Sequence, residues 1–370
     1  MTATTAQPAL AQVEQERDAF IEGLLEATAG VWKMFTLHLG NELGYYQALA
    51  DGQSKTSTEL ADATGTVERY AREWLEQQTV AGILTVDNPE AEATARRFRL
   101  PAGHIEPLTE TESLNYLGAL PAIVAGTVRP IDQVIEAFRN GGGVEFHDFG
   151  RPMRCGQAGM NRNLFLYELG QSWLPSIPDV HARLQSGEPA RIADIGCGLG
   201  WSSIGMARAY PNVHVDGFDL DEASVLEGQE LVRQYGLEDR VNIQLRDAGD
   251  PTLAGHYDLV TAFECVHDMS DPVGALGTMR RLASADGTVI IMDERTSDEF
   301  DPEGNDIEWF LYGFSVLHCL PVSRADTPSA ATGTVMRTHT MRAYAQQAGY
   351  RDIEIVPIEH DFWRFYRLNP

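Results

Sequence analysis

A histidine set between acids at the end of an apolar run is equipped to move a proton. The stretch FECVHDMSD, Phe263 to Asp271, follows the apolar run YDLVTA and precedes a proline. Glu264, Cys265, His267 and Asp268 therefore fall where a buried strand is expected to end. An imidazole titrates near neutral pH and can take the proton of a hydroxyl. Asp268 could orient the ring or stabilise its charged form, although adjacent side chains rarely face one another. A histidine that merely caps the turn after a strand has the same sequence. Asp293 and Glu294 close a later apolar run, GTVIIMD, and could supply a further carboxylate. Acids at strand ends are also often solvated loop residues.

A second group of residues points to a ligand. The run RIADIGC leads into DIGCGLGWS, where Gly196, Gly198 and Gly200 form G-x-G-x-G. A dinucleotide fingerprint puts its third glycine where Trp201 stands, and no Gly-Lys-Ser/Thr follows to make a phosphate loop. Asp194 precedes the loop, where an acid repels pyrophosphate and attracts a cation. Asp219 ends the next apolar run and can accept both hydroxyls of a ribose. Asp247 and Ala248 end the third, where a carboxylate could take an adenine amino group. A ligand with an ammonium, a sulfonium and a ribose suits this set.

The elements that must position these residues alternate. From about residue 186 the chain reads strand, helix, strand, helix, with VHVDGFD, VNIQLRDA, YDLVTAFE and GTVIIMD as apolar strands. That pattern implies an α/β fold, a doubly wound and mostly parallel sheet. DIEIVPIE and FWRFYRL are expected to form a hairpin at the sheet edge. Residues 1–105 read as mainly helical. TSTELADATG is a capped helix ending at Gly65, and Val67, Tyr70, Ala71, Trp74 and Leu75 fall on one helix face. GILTVD and RRFRL follow as short strands, giving a winged helix. Residues 106–185 form a helical connector with Gly- and Pro-containing bends.

Composition narrows the function. The 370 residues are 43% hydrophobic and carry 54 acidic against 28 basic residues, a formal charge of −26. Such a surface repels nucleic acid and anionic membranes. A DNA reader needs a basic stripe on its second helix, whereas VERYAREWLEQQ has at least as many acids as bases. Cys155, Cys197, Cys265 and Cys319 contain no Cys-x-x-Cys pair, which leaves zinc and thioredoxin-like readings without support. The N-terminus lacks a basic segment followed by an apolar block, so no secretory leader is expected. No window approaches the about 18 apolar residues of a spanning helix. A soluble, cytoplasmic protein is expected.

On DIGCGLG, FDLD and RDA the chain resembles class I S-adenosylmethionine-dependent methyltransferases. With STELADATG, VERYAREWLE and AGIL it resembles the small-molecule O-methyltransferases that place a winged-helix dimerisation domain before a Rossmann-like seven-stranded domain. The resemblance implies S-adenosylmethionine as cofactor, S-adenosylhomocysteine as product, a homodimer, and a small, partly apolar acceptor. It implies cofactor contacts from Asp194, Gly196, Gly198, Gly200, Asp219, Leu220, Asp247, Ala248, Phe263 and Glu264 in the domain 186–370. His267 takes the general-base role by matching position in HDxSD, with Asp268 and Glu294 as its partners. The family often has an acid before R-T in a late stretch; here Met336 stands there.

Met160, Asn161 and Phe165, with Trp173, are expected to cover the acceptor from the connector. Trp309, Tyr312, Phe314 and His318, in the aromatic run NDIEWFLYGFSVLHCLP, are expected on the other side. His267 and His318 could instead meet around a metal, as in relatives that C-methylate an α-keto acid. A cofactor-binding winged-helix regulator is the reading from another class.

Overall fold

The computed structural model describes residues 10–370. The first nine residues, part of the segment read as lacking a leader, lie outside the described residues. The chain divides into two compact units, one ending at Ala125 and the other beginning at Gly126. The division falls inside the stretch expected to be a connector, so its first part folds with the N-terminal unit and the remainder with the C-terminal one.

The N-terminal unit opens with a 33-residue helix, Leu10–Glu42, which buries only Leu37 and Gly40. The helix Ser57–Thr64 starts at Thr56, whose side chain accepts the Glu59 N–H while the Glu59 carboxylate accepts the Thr56 N–H. This reciprocal cap satisfies two otherwise orphaned donors. Gly65, at φ 67°, ends the helix in the left-handed region. The next helix, Glu68–Val80, buries Ala71, Trp74, Leu75 and Gln78. Val67 and Tyr70, expected on the same face, are exposed. Val67 precedes the first turn and so does not share the helix phase. β1 (Thr85–Val86) and β2 (Phe98–Arg99) pair antiparallel as a short wing.

The C-terminal unit is built on seven strands. They are β3 (Ala190–Ile195), β4 (Val213–Asp219), β5 (Val241–Leu245), β6 (Tyr257–Phe263), β7 (Ala283–Glu294), β8 (Asp352–Ile355) and β9 (Trp363–Asn369). Their order across the sheet is β5-β4-β3-β6-β7-β9-β8. The first five run parallel, and β9 pairs antiparallel with both β7 and β8. From β3 the chain winds outward to β5, then returns to β6 and winds the other way. The reversal opens a crevice at the carboxyl ends of β3 and β6, the usual ligand position in such sheets.

The helix Gly150–Asn163 continues into wider, π-type turns over Leu164–Trp173. This second part lies against the helix Trp201–Ala209 that follows the glycine loop. A Cβ at Gly205 would come within 2.1 Å of the Phe165 carbonyl oxygen, so the two helices touch through backbone. Phe165, Leu166, Leu169 and Trp173 join Ile204, Met206 and the strand residues in one core.

Candidate cofactor and acid–base site

β3 ends in the glycine loop. Gly196, Gly198 and Gly200 have φ of 65°, 52° and 78°, a left-handed backbone that residues with a Cβ adopt at a cost. At Gly196 a Cβ would stand 2.7 Å from Cys265 Sγ, whereas at Gly198 it would meet nothing within 4 Å. The loop thus packs on the β6 end on one side and faces open space on the other. Asp194 is buried beneath it and accepts bonds from the hydroxyls of Ser202 (2.6 Å), Ser203 (2.7 Å) and Thr261 (2.8 Å). Its carboxylate ties β3, β6 and the start of the next helix together. Sequence reasoning assigned Asp194 to the ligand and missed the three hydroxyls, although Ser202 and Ser203 stand directly after the loop.

Asp219, at the end of β4, accepts the Gly198 N–H at 2.7 Å and the Asp221 N–H at 2.9 Å. A carboxylate has about four acceptor positions, so two remain for ribose hydroxyls. Leu220 is 65% exposed beside it. Asp247 is exposed past the end of β5 and accepts the Gly249 N–H, and Ala248 is half-buried. An open glycine cradle followed by Asp219 and Asp247 at successive strand ends fits an adenosyl ligand.

The second group surrounds His267, which lies in one short turn after β6. The ring is 2% exposed. Its Nδ1 is 2.8 Å from Asp293 Oδ1 and 3.0 Å from Glu294 Oε2, and its Nε2 is 3.3 Å from Asp268 Oδ1. Asp293 and Glu294 are adjacent in sequence, yet both reach the ring because they occupy the last positions of β7. The Asp293 carboxylate also accepts the Glu294 N–H. Met336, at the place of the family acid, is buried in an apolar cluster, and its carbonyl accepts the Thr296 hydroxyl.

Charge at this cluster is unbalanced. Burial pushes the His267 pKa down, but the carboxylates of Glu294, Asp293 and Asp268 outweigh it and hold the ring well above its ordinary value. Burial raises Glu294 and Asp268. Burial acts on Asp293 too, but the His267 ring and its hydrogen bonds outweigh it and keep this carboxyl low. Asp268 Oδ1, Asp293 Oδ2 and Glu294 Oε2 are buried with no hydrogen-bond partner. Two donor sets converge to within 4.8 Å: His267, Asp268 and Cys319, and His267, Asp293 and Glu294. Imidazole, carboxylate and thiol are a donor chemistry that fits a transition metal.

His318 is in neither set. Its ring stacks on Phe314 at 5.0 Å and meets the edges of Phe149 at 4.5 Å and Phe146 at 5.8 Å. Its Nδ1 lies 3.4 Å from Cys319 Sγ, and its Nε2 has no partner. Burial lowers its pKa to about 3, so the ring is neutral. Cys319 is fully buried and lies beside the acid–base group. His318 and Cys319 occupy a π-type turn, Ser315–Cys319, which shifts the helix phase in a way that periodicity does not reveal.

The remaining predicted residues divide. Glu264 has φ 52°, a strained value for a residue with a side chain, at a cost of order 1–3 kcal/mol. Its carboxylate accepts bonds from Asn161 Nδ2 and Trp363 Nε1. Phe263 packs on Phe165 at 5.6 Å. Met160 is half-buried in the same helix as Asn161. Trp309 is 80% exposed, and the Tyr312 hydroxyl accepts from Arg337. Trp363, Phe146 and Phe149 had no sequence signal beyond being aromatic.

Residues 187–311 match the family described as "Methyltransferase domain", and residues 33–110 match the "Rv2258c-like winged HTH domain". Ajmaline N-methyltransferase of Rauvolfia serpentina is 30% identical over 106 residues, which are 28% of this chain and 36% of that protein. The first three curated relatives are covered over 5% to 37% of their own length. Mitomycin 7-O-methyltransferase MmcR shares the fold with a TM-score of 0.69 at 19% identity, over 96% of this chain and 99% of that one. Human N-acetylserotonin methyltransferase, solved with S-adenosylmethionine, aligns with a TM-score of 0.67 at 14% identity, over 100% and 99%. The Rossmann-like architecture behind a winged helix is therefore common to all three chains. This chain carries a segment that matches the methyltransferase domain family, preceded by one that matches the Rv2258c-like winged helix-turn-helix domain.

Proposed function

We propose that the protein transfers the methyl group of S-adenosylmethionine to a hydroxyl of a small, partly apolar acceptor, with His267 as general base. The observation that carries this reading is the 2.8 Å contact from His267 Nδ1 to buried Asp293. It fixes the ring and leaves Nε2, 3.3 Å from Asp268 Oδ1, as the nitrogen that would take the hydroxyl proton. Methyl transfer is an in-line displacement with a good leaving group already present, so the chain must align the nucleophile and accept its proton. Asn161 and Phe165 supply the facing wall. His267→Ala should lower turnover about a hundredfold or more while S-adenosylmethionine still binds. Unchanged turnover would remove the base assignment.

The second reading is metal-assisted C-methylation of an α-keto acid-like acceptor. The convergence of His267, Asp268 and Cys319, with buried carboxylate oxygens that lack a hydrogen-bond donor, favours it. His267, Asp268 and Cys319 would hold the ion, which would polarise the keto oxygen. Native mass spectrometry of the purified protein separates the two. Bound cofactor without a transition metal supports proton abstraction; one metal per subunit supports the second reading.

We infer further that two copies pair through the N-terminal unit. The helix Leu10–Glu42 leaves Phe20, Ile21, Leu24, Leu25 and Trp32 exposed, an apolar face that water disfavours.

A further inference from the structure

Four carboxyl groups, Glu264, Asp268, Asp293 and Glu294, stand at the ends of β6 and β7. Among the described residues, the only ion pairs at these groups are those to His267. One imidazolium cannot balance four acids. The surplus is sharpest at Glu264, whose two partners, the Asn161 amide and the Trp363 indole, are neutral donors. They hold the carboxylate in place without cancelling its charge.

Its position in the chain matters as much. The next residue, Cys265, packs its sulfur on Gly196 of the glycine loop, and two residues after it the chain reaches His267. Glu264 therefore stands between the loop that would cradle the methyl donor and the group that would face the acceptor. The backbone keeps it there at φ 52°, although a glycine would relieve the strain. A side chain is retained where the backbone disfavours one.

We propose that Glu264 recognises the positive charge of the donor's sulfonium and thereby separates S-adenosylmethionine from its uncharged-sulfur product. The inference rests on the methyl-donor reading above. Transfer moves a methyl group from sulfur to the acceptor and leaves a neutral thioether, so the attraction ends when the reaction does. Product release gains, because only the donor supplies a charge for the carboxylate. Burial pushes the Glu264 pKa to about 7, a cost that a cation alongside would offset.

The test is isothermal titration calorimetry on the full chain with three probes: S-adenosylmethionine, S-adenosylhomocysteine, and the donor analogue that carries an amine in place of the sulfonium. In wild type both cationic ligands should bind more tightly than the thioether. Glu264→Gln should weaken the two cations about tenfold and change the thioether by less than about twofold. Equal loss for all three probes, or no loss, overturns the proposal. Should Glu264→Gln fail to fold by thermal melting, the wild-type comparison decides alone: thioether binding as tight as the amine analogue overturns it. A wild type that binds none of the three sinks the methyl-donor reading itself, and this proposal with it.

Discussion

Three acids around His267 give its chemistry a direction in pH. The ring's pKa is held above its ordinary value by Glu294, Asp293 and Asp268 against the opposing pull of burial. A general base works only when unprotonated, so kcat/KM should rise with pH along a limb lying above about 6.5, the ordinary histidine value. Asp293→Asn removes one of the charges that raise the pKa. The limb should then move to lower pH while the plateau falls, because the ring also loses its 2.8 Å anchor. A pH–rate profile of both proteins checks this, and a limb that stays put would show that another group titrates. His267 and its flanking acids were legible in sequence because polar residues interrupt an apolar strand end. The Asp293–Glu294 contacts were legible only as a possibility, since strand order, not spacing, brings β7 beside β6. Trp363 was hidden for the same reason.

The elements around the cradle are held by small residues and buried hydroxyls. Asp194→Ala would leave Ser202 and Ser203 without their acceptor, at a cost of about 1–3 kcal/mol for an unsatisfied buried group. Donor affinity should fall with stability, because the residue that fixes the loop is gone; calorimetry and a thermal melt on the same sample read both. Gly205→Ala should destabilise by about 1–3 kcal/mol through overpacking against the Phe165 carbonyl, and a melting midpoint equal to wild type would contradict the backbone contact. The glycine loop, the capped helix Ser57–Thr64 and the strand alternation were readable because each rests on local geometry. The π-type turns over Leu164–Trp173 and Ser315–Cys319 were not, since tertiary packing selects them.

At the scale of the molecule, charge and exposed apolar surface set the expected behaviour. Both arginines of the helix Glu68–Val80 are ion-paired on that helix, Arg69 with Glu73 and Arg72 with Glu68, which leaves it no free basic stripe for DNA. Light scattering at micromolar concentration should give about twice the 40.8 kDa chain mass. The double variant Leu24→Asp, Leu25→Asp should give a monomer, and a wild-type monomer would contradict the pairing. Composition foretold the acidic surface, and alternation foretold the layered domain. Neither could foretell the order of the last two strands. β8 precedes β9 in the chain but lies outside it in the sheet, and β9 alone joins it to β7. In folding, then, Asp352–Ile355 has no strand of the sheet to pair with on its own. It must wait for Trp363–Asn369 to follow, so the ring nitrogen that steadies Glu264 and the strand that completes the sheet arrive together.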